Sequence, residues 1–284
     1  MTTVQQILYK ISAQLLQSGI DNPMMEARIM LAYILNVSTS YLVTNSNYVV
    51  EPGKIQALDQ MMIRRCNREP LAYITGIKEF WGLNFAVDRN TLIPRPDSEI
   101  LVEAALNFAK ELTEPIKILD LGTGSGCLLL ALLYELPNAS GIGVDQSLKA
   151  LGVAQHNANQ LQLSDRVQFI QDDWANSVNE RVDIVITNPP YIKIADICNL
   201  APEIKMYEPH QALFGGIDGL ECYRKLLPRA SQLLTDHGCL FAEIGQGQED
   251  AINAIATHNK FELVKQHRDL QGIIRCLVWK KLTA

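Results

Sequence analysis

Asn188, Pro189, Pro190 and Tyr191 follow the apolar run VDIVIT and join a side-chain amide, two stiff backbone units and an aromatic ring within four positions. Proline holds φ at about −65°, donates no backbone hydrogen bond and restricts the residue before it, so a strand through residues 182–187 must end here in a rigid loop. The Asn188 side-chain oxygen and the Pro189 carbonyl would then be stationary acceptors, suited to the two hydrogens of an NH2 group, while Tyr191 could cover a planar group from one side. The same letters also spell an ordinary Asn-Pro turn with a tyrosine plug. What surrounds the loop has to decide between them.

Three further strand ends carry residues suited to a ligand. DLGTGSG, Asp120 to Gly126, sets Gly122, Gly124 and Gly126 at alternate positions around Thr123 and Ser125. Such a turn bends sharply, lets a ligand approach the backbone and leads into a helix N-terminus. Its G-x-G-x-G spacing lacks the lysine of a P-loop and the spacing of a dinucleotide fingerprint, which argues against a polyphosphate. GIGVD ends on Asp145, 25 residues after Asp120, where an acid can accept from both hydroxyls of a ribose or cap the next helix. QDDW offers Asp173 to an exocyclic amine and Trp174 to a ring face. A ligand with an adenosine, a small charged tail and no phosphate fits all three, and S-adenosylmethionine has that composition. Its carboxylate is expected at the glycine-turn amides, its ribose at Asp145 and its adenine at Asp173 and Trp174; Asn188 is expected beside it.

These residues need a scaffold that collects strand ends, and the periodicity supplies one. From about residue 100, strands KILDL, SGIGVD, RVQFIQ, VDIVITN and CLFAEIG alternate with helices, and FELVKQHR and GIIRCLVWKK close the chain. That alternation predicts an α/β, doubly wound, mostly parallel sheet of seven strands, which binds ligands beyond the carboxyl ends of its strands. Residues 1–74 read instead as amphipathic helices, with apolar residues three and four apart in VQQILYKISAQLLQSG, PMMEARIMLAYILNV and KIQALDQMMIRRCN. Met24, Met25, Met30, Met61 and Met62 are expected to pack between them. Gly76, Gly82, Pro94 and Pro96, among alternating aromatic and polar residues, predict a hairpin or extended linker over 75–94, leaving 95–284 as the second domain.

Bulk properties narrow the class. Of 284 residues 48% are hydrophobic, enough for two cores, and the net charge is −6. Residues 1–74 carry six Lys/Arg and five Asp/Glu, so the acidity belongs to the remainder, which is unsuited to gripping a phosphate backbone. The longest apolar run, Cys127 to Tyr134, falls short of the roughly 20 residues that span a bilayer, and MTTVQQILYK shows no basic n-region ahead of an apolar stretch, so secretion is not expected. A cytoplasmic protein is expected, without membrane association. The six cysteines form no C-x-x-C pair and the five histidines no ligand spacing, so no metal is expected.

The order DLGTGSG, GVD, DDW, NPPY resembles the class I S-adenosylmethionine-dependent methyltransferases, and NPPY resembles the signature of those acting on the nitrogen of a planar amide or amine. REPLAYITGIKEFWGLNF, TLIPRPDSEILVE, YEPHQALFGGIDGLECYR and EIGQGQ are similar to the release-factor glutamine methyltransferases, the PrmC/HemK family, over nearly the whole chain. The resemblance implies methylation of the side-chain amide nitrogen (N5) of the glutamine in the Gly-Gly-Gln loop of class-one peptide-release factors. S-adenosylhomocysteine would be the by-product, Asn188, Pro189 and Tyr191 the catalytic residues, and Asn188 to Tyr191, Pro190 included, the substrate clamp. A monomer is expected, with the N-terminal helices recognising the release factor. A nucleic-acid adenine or guanine amino-group methyltransferase would use the same NPPY loop, but should carry a basic face or a target-recognition insertion. A non-catalytic adenosyl-binding module would have no need of NPPY. Ser98 stands where many relatives have Thr, which keeps the hydroxyl. Arg95, Glu99, Glu208 and His210 read as structural at least as readily as catalytic.

Overall fold

The computed structural model describes residues 2–112 and 115–282. In chain order the elements are α1 (Val4–Gln17), α2 (Pro23–Leu35), α3 (Thr39–Thr44), α4 (Pro52–Cys66), α5 (Leu71–Thr75), β1 (Ile77–Phe80), β2 (Leu83–Ala86), α6 (Glu99–Ala109), β3 (Lys117–Leu121) and α7 (Cys127–Glu135). There follow β4 (Ser140–Asp145), α8 (Leu148–Gln160), β5 (Val167–Gln171), β6 (Val182–Thr187), α9 (Pro202–Tyr207), α10 (Glu221–Leu233), β7 (Leu234–Glu243), α11 (Glu249–His258), β8 (Phe261–Arg268) and β9 (Ile274–Lys281). The chain divides into two compact units, Met1–Ile77 with Ala201–Tyr207, and Lys78–Leu200 with Glu208–Ala284.

The first unit is helical. Thr3 opens α1 with a capping box, its hydroxyl accepting from the Gln6 backbone while the Gln6 side chain accepts from the Thr3 amide. Val4, Ile7, Leu8, Ile11 and Leu15 then form one buried stripe that meets Met30, Leu31, Leu58, Met61 and Met62. Met25 departs from the expected packing and faces solvent. Residues 201–207 join this unit through charge: Arg65, itself buried, pairs with Glu26 at 2.6 Å and with Glu203 at 3.1 Å, and Arg68 holds the other Glu203 oxygen at 2.8 Å.

In the second unit the sheet runs β5-β4-β3-β6-β7-β9-β8, parallel from β5 through β7, with β9 antiparallel to both neighbours. Both faces are covered, so its strands read as continuous apolar runs. In β3, Ile118 enters one core with Leu129 and Phe241, while Leu119 and Leu121 enter the other with Leu240 and Tyr223. The β1–β2 hairpin turns at Gly82, φ +69°, and sets Phe80 edge-on to Phe85 at 6.2 Å. Strand order reverses at β3, whose neighbours are β4 and β6, and a ligand crevice is expected beyond the carboxyl ends there. Among the described residues no helix is long and apolar enough to cross a membrane.

Candidate active site

The crevice is present. A cavity of about 270 Å³ is lined by the glycine turn from Gly122 to Ser125, by Asp145 and Ser147, by Asp172 and Trp174, by Asn188 and Pro190, and by Arg95 and Ser98. Four strand ends that are far apart in sequence therefore supply one pocket.

The glycine turn is held by its own backbone, by the end of β4 and by the Asp145 side chain. Gly122, Gly124 and Gly126 have φ of +76°, +55° and +81°, a region costly for any other residue. The Gly122 and Thr123 amides donate to the Val144 carbonyl, at 2.8 and 2.9 Å, and the Gly126 amide donates to Thr123 at 2.8 Å. The Gly124 amide donates to Asp145 Oδ2 at 2.9 Å. These four donors are committed within the protein, which corrects the expectation that the turn offers its glycine amides to a carboxylate. Gly126 lies off the cavity lining: a Cβ there would meet Leu130 at 3.0 Å and Ala154 at 3.3 Å, so this glycine serves the packing of α7 and α8.

Asp145 does not cap α8. That task falls to Ser147, whose hydroxyl accepts from the Ala150 amide. Asp145 Oδ1 accepts from the Ser147 amide at 2.9 Å, so each carboxylate oxygen holds one backbone N–H and keeps lone-pair capacity toward the cavity. Burial raises the Asp145 carboxyl above its usual range against the pull of the Ser147, Gly124 and Gln146 amides. Beneath the turn, Asp120 Oδ2 accepts from Thr123 Oγ1 at 2.6 Å while Oδ1 is buried without a partner, and burial pushes this carboxyl up to about 7. Burial likewise holds the Cys127 thiol up to about 12, which leaves it inert. Acids and bare glycine backbone fit the hydroxyls of a ribose and a cationic ligand, in keeping with S-adenosylmethionine and not with a polyphosphate.

Asp173 is displaced from its expected place. It is exposed and off the cavity lining, with Oδ1 accepting from Gln146 Nε2 at 3.2 Å, and Asp172 lines the cavity instead. The chain turns through positive φ at Trp174 and Ala175, +54° and +60°, which buries Trp174 against the cavity and leaves Asp173 on the outer side.

Beyond β6, Thr187 Oγ1 donates to the Leu121 carbonyl at 2.7 Å and locks the strand end to β3. Asn188 Nδ2 donates to Ser98 Oγ at 3.1 Å, which turns the amide oxygen away from Ser98. Asn188 and Pro190 line the cavity, whereas Pro189 and Tyr191 do not; the Tyr191 hydroxyl instead donates to Glu243 Oε1 at 3.1 Å. Burial beside Glu243 holds the Tyr191 phenol well above its ordinary range, so it stays protonated. Gln248 Nε2 donates to the Tyr191 carbonyl at 3.1 Å, with its own Oε1 held by the Gly245 amide at 3.0 Å.

Several of these residues carry no signal of their own. Ser98, Glu243 and Gln248 sit in segments, TLIPRPDSEILVE and EIGQGQ, notable only for family resemblance. The buried Glu208 carboxylate accepts from Arg95 Nη2 at 2.5 Å and from the Ile93 amide at 3.3 Å. Glu99 accepts from the Trp81 amide at 2.9 Å, and His210 packs on Phe214 with ring centroids 5.0 Å apart.

Two family models match the chain: the PrmC N-terminal domain over residues 6–76 and the methyltransferase small domain over residues 97–204. A bifunctional methyltransferase of Rickettsia conorii is 34% identical over 304 residues, covering 99% of this chain, which spans only 58% of that protein's length. A release factor glutamine methyltransferase of Rhodospirillum rubrum is 40% identical over 267 residues, covering 94% of this chain and 82% of its own. Among solved structures, a methyltransferase from Pyrococcus furiosus shares the fold, with TM-score 0.51 at 15% identity over 78% of this chain and 98% of that one.

Proposed function

We propose, from the premise that the chain belongs to the release factor glutamine methyltransferase family, that it methylates the side-chain amide nitrogen of a Gly-Gly-Gln glutamine in class-one peptide-release factors. One observation carries the reading: Asn188 lines the same cavity as the glycine turn and Asp145, with its amide oxygen free to face a substrate.

When bound, S-adenosylmethionine supplies a methyl group on a sulfonium centre that leaves as a neutral thioether. The residues to hold it are Gly122 to Ser125, Asp145 and Trp174, with Asp172 taking the place expected of Asp173. The remaining difficulty is the nucleophile. An amide nitrogen has its lone pair delocalised into the carbonyl and attacks poorly. Asn188 Oδ1 accepts one amide hydrogen, fixes the nitrogen in one orientation and stabilises the positive charge that develops on it. The two prolines that follow it keep this acceptor from relaxing away. The alkylated nitrogen then loses a proton readily, so a dedicated base is not required.

The helical unit serves recognition of the folded release factor in this reading. Tyr9 and Leu16, seven residues apart on α1 and so on one face, are both exposed apolar side chains there. The test is mass spectrometry of a release factor incubated with the protein and isotopically labelled S-adenosylmethionine. A labelled methyl group on the Gly-Gly-Gln glutamine is the expected result, and an unmodified peptide under saturating conditions refutes the assignment.

A further inference from the structure

Glu243 closes β7 in full burial, and its two carboxylate oxygens go to two hydroxyls rather than to a cation. Oε2 accepts from Ser98 Oγ in a short hydrogen bond, and Oε1 accepts from the Tyr191 hydroxyl at 3.1 Å. The backbone carbonyl of Glu243 also accepts from the buried Tyr223 hydroxyl at 2.6 Å, which pins the residue in place. Taking a carboxylate out of water for two neutral hydroxyls is a costly arrangement, and it ties together both polar side chains of the NPPY loop.

The hydrogen bonds have a direction. Burial raises the Glu243 carboxyl above its usual range against the pull of the Ser98 and Tyr191 hydroxyls and the Arg275 charge. Ionised, it only accepts, so Ser98 commits its single hydrogen to Glu243 and has only lone pairs left for Asn188. Asn188 must therefore turn Nδ2 toward Ser98, as observed at 3.1 Å, and Oδ1 is the atom left to face a substrate. The two ends of an asparagine amide have nearly the same shape, and packing alone does not tell them apart. An inverted amide would present hydrogens to the hydrogens of the glutamine NH2.

We propose that Glu243, acting through Ser98, is the positioning residue that sets which end of the Asn188 amide faces the substrate. This rests on the clamp reading given above. Ser98 passes on the polarity, and the same carboxylate anchors the Tyr191 ring. Neither Glu243 nor Tyr191 lines the cavity, so the effect reaches the reaction only through the clamp.

The experiment is a double-mutant cycle measured as single-turnover methylation of an intact class-one release factor, with S-adenosylmethionine affinity followed by calorimetry. Ser98→Ala should slow methylation by about 10-fold and leave cofactor affinity within about twofold, and Ser98→Thr should restore most of the rate. Glu243→Gln, which can turn an NH2 toward Ser98 and reverse the relay, should slow it at least as much. In an Asn188→Ala background neither change should cost more than about twofold further, because the amide whose orientation they set is gone. Equal penalties in both backgrounds, or a native rate for Ser98→Ala beside a slow Asn188→Ala, overturn the relay alone. A native rate for Asn188→Ala by itself overturns the clamp and the relay together. Should Glu243→Gln fail to fold, the Ser98 arm of the cycle decides.

Discussion

Leu121 and Thr187 are register partners at the ends of β3 and β6, and the two loops that leave them are built in opposite ways. The loop after β3 is glycine at alternate positions, in backbone conformations other residues avoid, and it satisfies its own amides through Val144, Thr123 and Asp145. The loop after β6 is proline, without two of its backbone donors, and is fixed from outside by Ser98, Glu243 and Gln248. A cofactor turn has to be bare so that a ligand can come close, and positive-φ backbone organises most of that, with Asp145 and Asn157 holding the Gly124 amide and the Ser125 carbonyl. A clamp on a weak nucleophile has to hold specific atoms still, which takes side chains from two further elements. The difference predicts that the first loop fails mainly in binding and the second mainly in the chemical step.

The largest expected effect is on the clamp. Asn188→Ala removes the side-chain acceptor and should cut turnover by about 10² to 10³, the cost of losing one preorganised transition-state contact, with S-adenosylmethionine affinity unchanged. Equal losses in turnover and cofactor binding would erase the contrast between the loops. Next comes Asp145→Ala, expected to weaken cofactor binding by about 1.5 to 3 kcal/mol. Since Asp145 also holds the Gly124 and Ser147 amides, the variant should lose about 1 to 2 kcal/mol of stability without ligand. Native affinity in calorimetry would remove the ribose assignment.

How far the sequence foretold this differs between the loops for the same reason. Glycine spacing and a terminal acid are local, and the residues they single out, Gly122 to Ser125 and Asp145, line the cavity. They also erred locally: which of Asp172 and Asp173 faces inward depends on the positive-φ turn at Trp174 and Ala175, and no periodicity records that. The NPPY letters announced rigidity, but the partners that orient Asn188 lie 90 residues earlier, at Ser98, and beyond it at Glu243, 145 residues from Ser98. Such pairings belong to the sheet order. The longer helices were readable from their apolar spacing and the sheet strands from their apolar runs, whereas the short α3, α5 and α9 were not, having too few turns to show a period.

A pair of glycine substitutions sharpens the comparison at a smaller scale. A Cβ on Gly215 would lie 2.7 Å from the Pro190 carbonyl oxygen and 2.8 Å from Tyr191 Cα, so Gly215→Ala must push the NPPY loop and should cost about 1 to 3 kcal/mol together with activity. At Gly124 a Cβ would find nothing within 4 Å, and the penalty is only that of φ +55°, about 1 kcal/mol. Urea denaturation of both variants checks the order. A Gly124 variant less stable than the Gly215 variant would mean that the turn, and not the clamp, is the tightly packed loop.

The smallest effect concerns the acid beneath the glycine turn. The Asp120 carboxyl, raised to about 7 chiefly by burial with a contribution from the nearby Asp145 charge, keeps its proton in the folded protein at pH values where the unfolded chain has released it. Between its ordinary range near pH 4 and about pH 7 the folded state therefore binds more protons than the unfolded state, so this group makes stability fall as pH rises, and the loss levels off above its folded pKa. Asp120→Asn removes the titration while its amide oxygen can still accept from Thr123. From pH 5 to pH 8 the native protein should then lose more stability than the variant, by on the order of 1 kcal/mol, in urea midpoints taken at each pH. Parallel curves would mean that Asp120 is ionised throughout, with its unpartnered oxygen facing the charge of a bound cation or a water, and the glycine turn would then hold a fixed negative charge beneath it that the NPPY loop lacks.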